Sequence, residues 1–205
     1  MVINLIGDTD KRPVLYTIMK VCQMLGDVLL VTNSSRLIRL SDTHESMGHC
    51  QNVMIAVTQE GIDDFWSSFP YEVSDFEYVI VDNIIIADAD VTIHVQGMAS
   101  SDYEQDALAY LENYEIISMY PKHLVDLQAI YACEEFEAYH DFCPISQKLA
   151  VEVCAVMAKY SKIPEKDLVA MAMKPTSTHP KVAPNLTVKT NASKTKGVIS
   201  WLTKS

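Results

Sequence analysis

Short apolar runs, each followed at once by polar residues, dominate the first half of the chain. These runs are four or five residues long, which is the length of a buried strand and too short for most helices. Hydrophobic residues fill them without alternating with polar ones, a pattern typical of strands that are covered on both faces of a parallel sheet. The five predicted strands are residues 2–6, 28–31, 53–57, 78–81 and 91–95.

Between and after these runs, apolar residues recur every three or four positions, which is the spacing of one helical face. Pro13 suits the first turn of a helix, and Gly26 suits its end. The second half of the chain is predicted to be mainly helical, with a possible last strand at residues 115–119. The predicted helices span about residues 13–25, 61–69, 103–114, 121–139 and 144–163.

Strands that alternate with helices predict an α/β domain. We expect a three-layer, doubly wound and mostly parallel sheet with helices on both faces, Rossmann-like or P-loop-NTPase-like, over residues 1–170. Residues 171–196 are rich in Lys, Thr, Ser, Pro, Asn and Ala, and predict a flexible basic linker. Residues 197–205 predict a C-terminal docking segment. Its expected partner-binding side chains are Val198, Ile199, Trp201 and Leu202.

Charge is distributed unevenly along the chain. The 205 residues carry a net charge of −11, whereas residues 171–205 hold six lysines and no acidic residue. An acidic body repels phosphate backbones, so direct binding of nucleic acid is not expected. Three alternatives stand for what the basic tail contacts: the chain's own domain, an anionic membrane surface, or a protein partner. A second copy of the chain is one such partner, which allows a homo-oligomer.

Cysteine usage and hydropathy predict a cytoplasmic protein. The five cysteines are an odd number with no Cys-x-x-Cys pair, as expected for reduced thiols. No apolar run approaches the roughly 20 residues that span a bilayer, and the N-terminus does not read as a secretory signal. His44, His49 and Cys50 share one predicted loop, and His140 and Cys143 share another. Their spacing is not specific to zinc, so we predict no metal.

The polar residues that follow the strands are the candidate site. In a parallel α/β sheet, ligands bind at the carboxyl ends of the strands. The first strand is followed by Gly7, Asp8, Asp10 and Lys11, and the fourth is followed by Asp82. These five residues are the predicted binding site for a cofactor, if the chain binds one.

The order of these strands and of the loops that follow them resembles the MinD/ParA type of deviant-Walker ATPase over residues 1–162. The residues that carry the resemblance are the first strand with Gly7, the run Tyr78-Val79-Ile80-Val81-Asp82, and the strand entered through Asp88-Ala89-Asp90. In that family the first strand enters a phosphate loop, and a later strand ends in the Asp that assists magnesium. The resemblance therefore implies the fold of a partner-binding ATPase that positions secretion, pilus, conjugation or partition assemblies.

The loop after the first strand departs from that family. A phosphate loop needs several glycines, a lysine, and a Ser or Thr for the metal. The stretch from Gly7 to Pro13 has one glycine and two carboxylates, and no Ser or Thr follows Lys11. We therefore expect a vestigial site, no cofactor, and a non-catalytic adaptor or scaffold: a pseudo-ATPase in a larger, membrane-associated complex.

A second interpretation is that the chain is an enzyme. Asp8-Thr9-Asp10 after an apolar strand resembles the haloacid-dehalogenase type of magnesium-dependent phosphotransferase. That resemblance implies that Asp8 attacks phosphorus and that Asp10 protonates the leaving group. Arg12 stands where that family has a Thr, and the helix predicted at Pro13 leaves no room for its usual flap. Whether the chain is an enzyme is thus left open, and a non-catalytic role is favoured.

Overall fold

The fold is built on one seven-stranded sheet with the order β3-β4-β2-β5-β1-β6-β7. A computed structural model describes residues 1–41, 45–97, 111, 113–119 and 147–174. All neighbouring strands are parallel except β3 and β4, which are antiparallel. The strands are β1 Val2–Gly7, β2 Val28–Thr32, β3 Met47–Cys50, β4 Val53–Val57, β5 Tyr78–Asp82, β6 Val91–Gln96 and β7 Tyr114–Ser118.

Helical segments cover both faces of this sheet. The helices are α1 Arg12–Leu25, α2 Ile62–Ser68, α3 Gln147–Tyr160 and α4 Glu165–Ala172. Two 3₁₀ segments, Ser35–Leu40 with two turns and Val73–Asp75 with one, complete the described helical structure.

Two apolar clusters lie on opposite sides of the sheet because successive side chains of a strand point to opposite faces. In β2, Val28 and Leu30 join one cluster, together with α1, α3 and α4. Leu29 and Val31 join the other, beneath α2 and the turn Val73–Asp75. The five inner strands β4, β2, β5, β1 and β6 are therefore buried on both faces, which explains their mainly apolar sequences. The edge strands β3 and β7 are only partly buried.

The path of the chain brings distant segments together at one edge of the sheet. From β1 the chain crosses to β2, continues to β4, and returns to place β5 between β2 and β1. The remaining strands β6 and β7 lie on the other side of β1. The carboxyl ends of β1, β2 and β5 consequently meet, although their residues are far apart in sequence.

The predicted α/β class is confirmed at this level: a mostly parallel sheet with helices on both faces. All six predicted strands are present, and the last of them, β7, begins one residue earlier than predicted. The strand β3 was not predicted, and it corrects the interpretation of His49 and Cys50 as loop residues.

Some predicted boundaries differ from the described ones. Helix α4 runs to Ala172, so residues 171 and 172 belong to a helix and not to the predicted linker. The predicted helix 121–139 and the segment 175–205 lie outside the described residues, as does the predicted helix 103–114 except for residues 111, 113 and 114. Tyr114 begins β7 and so does not belong to the predicted helix. In the described ranges, none of the helices combines the length and hydropathy that a bilayer crossing requires.

Candidate functional site

Gly7 closes β1 against its neighbour β6. Its φ of +147° lies in a region that side chains rarely adopt, and a Cβ there would stand 2.1 Å from the Val95 carbonyl oxygen. Only glycine fits, because the two backbones approach so closely. The predicted site residue Gly7 thus serves the contact between the two strands.

Asp8 lies on the exposed side of the loop between β1 and α1. Its Oδ1 accepts a hydrogen bond from the backbone N–H of Gly97 at 3.1 Å. This bond joins the loop to the segment that follows β6.

Asp10 and Arg12 close the N-terminus of α1. The Arg12 side chain makes a bidentate ion pair with Asp10, with Nε at 2.9 Å from Oδ1 and 3.0 Å from Oδ2. The backbone N–H of Arg12 donates to the same Oδ1 at 3.1 Å. The next residue, Pro13, has no N–H to offer. A carboxylate that precedes the helix thus accepts the N–H of its first residue.

Lys11 and Asp82 form the polar centre of the site. Lys11 Nζ donates to Asn83 Oδ1 at 3.1 Å and lies 3.9 Å from Asp82 Oδ1. The Thr32 hydroxyl donates to Asp82 Oδ2 at 2.8 Å. Asp82 is 4% exposed, and its Oδ1 is buried without a hydrogen bond.

The environment of Asp82 changes its acidity. Burial raises the pKa of the Asp82 carboxyl above its ordinary value, and the charge of Asp10 adds to the rise. Lys11 and the hydrogen bond from Thr32 act in the opposite direction without cancelling it. Asp82 therefore holds a proton more readily than a solvent-exposed aspartate.

Two asparagines connect the ends of β2 and β5. Asn83 Nδ2 donates to Asn33 Oδ1 at 2.7 Å, and Asn33 Nδ2 donates to the Asn83 carbonyl at 3.2 Å. Asn83 has a φ of +63°, which asparagine tolerates better than most residues. Together with Lys11, this pair fixes the rim of the site.

These groups surround a small open cleft of about 250 Å³. Pockets for drug-sized ligands usually have about 300–1,000 Å³. Among the described residues, no group of three or more His, Cys, Asp or Glu is arranged to hold a metal ion. The cation Lys11 beside Asp82 further disfavours a second cation there. The cleft lining includes Thr9, Lys11, Arg12, Ser34, Arg36 and Asp82.

The structure thus brings together only part of the predicted set. Lys11 and Asp82 meet in the cleft, Asp10 lines it while bound to Arg12, and Gly7 and Asp8 contact β6 and its exit. Sequence reasoning missed Arg12 as the partner of Asp10. The spacing Asp-x-Arg at the start of a helix was the available signal, because a side chain two residues away can reach back to it.

Comparisons with known proteins yield a distant likeness of layout. No protein-family model matches the chain, and no curated protein matches it. Among solved structures, the MinD cell division protein of Aquifex aeolicus is similar at 12% identity and a TM-score of 0.43, over 83% of this chain and 94% of that one. At this level the likeness says nothing about nucleotide binding or partners in this chain.

Proposed function

We propose that the protein is a non-catalytic adaptor or scaffold, a degenerate MinD/ParA-like pseudo-ATPase. In this proposal its sheet is doubly wound, it works in the cytoplasm, and it binds protein partners of a larger assembly through its C-terminal segment. The single observation that supports the loss of nucleotide binding is the ion pair of Asp10 with Arg12 at the start of α1.

A phosphate bound at a helix N-terminus needs free backbone N–H groups and no competing anion. Here the N–H of Arg12 donates to Asp10, and the N–H of Leu15 donates to the Lys11 carbonyl within the helix. Pro13 contributes no donor. The donors that would receive a phosphate are few, and the chain's own carboxylate occupies the anion position.

The loop length gives independent support. Only four residues, 8–11, connect β1 to α1, and two of them carry carboxylates. A triphosphate placed there would meet the exposed Asp8 and the partly buried Asp10, and like charges repel more strongly at the partly buried position than in water. Binding of ATP or GTP would thus require the loop to open and the pair between Asp10 and Arg12 to separate.

The phosphotransferase alternative has less support. It needs Asp10 as a proton donor and Asp8 as a free nucleophile. Both Asp10 oxygens contact the Arg12 guanidinium, and Asp8 accepts the Gly97 N–H. We nevertheless propose a direct test: hydrolysis of an aryl phosphate with magnesium, compared between the wild type and Asp8→Asn. Activity that Asp8→Asn abolishes would establish the alternative, and we expect no activity above a protein-free control.

Thermal unfolding with and without nucleotide tests the main proposal. The full chain is melted alone and with ATP, ADP or GTP in the presence of Mg²⁺. A ligand at 100 times its Kd stabilises the native state by about 2.7 kcal/mol, which raises Tm by a few degrees at this size. We expect no shift with any nucleotide.

Two aspartate variants serve as controls for that experiment. Asp82→Asn removes the buried carboxylate of the cleft, and Asp88→Asn removes an exposed one after β5. A shift in the wild type and in Asp88→Asn that disappears in Asp82→Asn would show nucleotide binding in the cleft and refute the proposal.

A further inference from the structure

The two faces of the sheet differ in their content of basic residues. Residues 45–97 contain ten acidic residues and no Lys or Arg. They include α2, the turn Val73–Asp75 and the loop after β5, which lie over one apolar cluster. The ten described Lys and Arg residues all lie in or beside α1, the segment Ser35–Leu40, α3 and α4, which pack on the other cluster or adjoin it.

We call the first of these surfaces the acidic face: α2, the turn Val73–Asp75 and residues 83–90. It also carries apolar side chains that its cluster leaves partly uncovered. Trp66 and Tyr71 are half-buried against the cluster, and Ile85 is 56% exposed. Exposed carboxylates flank them, including Asp63, Asp64 and Asp88. The described segments of this face contain no Lys or Arg. A surface with apolar and aromatic groups and carboxylates fits a segment that combines lysines with an apolar anchor.

The chain itself contains such a segment. Residues 175–205 hold five lysines, no acidic residue, and the apolar group Val198, Ile199, Trp201 and Leu202 near the end. We propose that the acidic face binds this segment of the same molecule. The lysines would pair with the carboxylates, and the apolar group would contact the half-buried side chains of the face.

The length of the segment is sufficient for this contact. Its 31 residues follow Lys174, which lies beyond α4. A flexible chain of that length has an end-to-end distance of roughly 30 Å, and it spans about 100 Å when extended. A domain of about 170 residues has a radius of gyration of roughly 15 Å. The segment can therefore reach around the domain, and the tether raises its effective concentration at the face above that of a second copy.

This inference rests on the proposed role of the C-terminal segment in docking, but not on the loss of nucleotide binding. If the segment also docks on partner proteins, the acidic face competes with them. The contact would then be autoinhibitory, since a partner must displace the segment from its own domain.

Zero-length cross-linking of the full chain with a carbodiimide tests the proposal. This reagent joins a lysine amine to a carboxylate only where the two groups touch. We expect peptides in which a tail lysine, such as Lys189 or Lys196, is joined to Glu72, Asp75 or Asp88. Tail lysines joined equally to the α4 acids Glu165 and Asp167 would refute the proposal.

Charge reversal supplies matched variants. Asp63→Lys with Asp64→Lys reverses two exposed acids in the first turn of α2, and Glu165→Lys with Asp167→Lys does the same in α4. Both pairs disturb a helix N-terminus similarly, so effects on helix stability are comparable. The α2 variant retains Glu72 and Asp75, and we expect its tail cross-links to them to fall roughly fivefold, given the strength of two exposed ion pairs. An equal fall in both variants would refute the proposal.

Isotope labelling decides which copy provides the segment. Equal amounts of unlabelled and ¹⁵N-labelled chain are mixed before cross-linking. We expect the joined peptides to be wholly light or wholly heavy. Mixed pairs in statistical proportion would mean that a second copy occupies the face, and would overturn the intramolecular contact. None of these measurements depends on nucleotide, so they fail or succeed independently of the melting experiment.

Discussion

Side chains that resemble ligands at the carboxyl edge of the sheet are bound to other parts of the same chain. Asp10 is paired with Arg12, Asp8 with the backbone of Gly97, and Lys11 with Asn83. Asp82 differs, because one of its buried oxygens accepts no hydrogen bond. A residue-scale test should therefore address Asp82.

We predict that Asp82 makes the native state less stable as pH rises above about 4. The folded pKa of this carboxyl is raised, so the native state binds the proton more tightly than the unfolded chain does. Stability from this group is complete below the unfolded pKa and declines up to the folded pKa, by about 1.4 kcal/mol per unit of pKa difference.

Urea unfolding of the wild type and Asp82→Asn from pH 4 to pH 7 measures this effect. The amide has nearly the same volume and does not titrate in this range. The free energy of unfolding of the wild type should fall relative to that of the variant as pH rises. A difference that stays constant with pH, or that changes in favour of the wild type, would contradict the assigned environment.

At the scale of elements, a buried asparagine joins β1, β5 and the loop after β5. Asn4 is fully buried within β1. Its Nδ2 donates to the carbonyls of Val81 and Ile84 at 3.0 and 2.7 Å, and its Oδ1 accepts the N–H of Ile86 at 3.3 Å. One side chain thus positions the loop that presents Ile85 to solvent.

We predict that Asn4→Ala destabilises the native state by about 3 kcal/mol. It leaves up to three backbone groups in a buried or partly buried environment without their partner, and each such group costs about 1–3 kcal/mol. Asn33→Ala is the control, since it also removes hydrogen bonds between strand ends but at an exposed position, and we expect a cost under about 1 kcal/mol. Chemical unfolding of the wild type and both variants measures the loss of unfolding free energy in each. Equal costs would mean that burial of Asn4 contributes little.

At the scale of the molecule, the sheet separates two cores and two kinds of surface. Cys22 of α1 and Cys154 of α3 lie in the same core cluster, and both are free and fully buried. Burial raises the pKa of both thiols, that of Cys154 to about 12. Cys50 of β3 is also buried. Reactivity of these thiols should follow opening of the whole fold.

We predict that these three thiols do not react with an aromatic disulfide reagent in the native protein. The measurement uses Cys133→Ser with Cys143→Ser, which removes the two cysteines outside the described residues. All three remaining thiols should react at once in guanidinium chloride, because unfolding exposes them and returns the pKa values of Cys22 and Cys154 to the ordinary range. Rapid reaction of one thiol without denaturant would show a local opening, and would contradict the tight packing of that element.

Much of the architecture follows from the sequence alone. Apolar runs of strand length predicted six of the seven strands, and their lack of alternation predicted burial on both faces. Strand β3 escaped prediction because its four residues, Met47 to Cys50, include a glycine and a histidine and form no apolar run. The sequence also shows that glycine is scarce after β1, and this scarcity argues against a phosphate loop.

The tertiary structure alone decided what the candidate residues do. Periodicity reports which side of an element is buried, but it does not report which element lies beside it. Insertion of β5 between β1 and β2 brings Asp82 to Lys11, and the pairing of β1 with β6 makes Gly7 necessary against Val95. Both contacts join residues more than 70 positions apart. They depend on strand order, which is selected by the packing energy of the whole sheet and not by any local pattern.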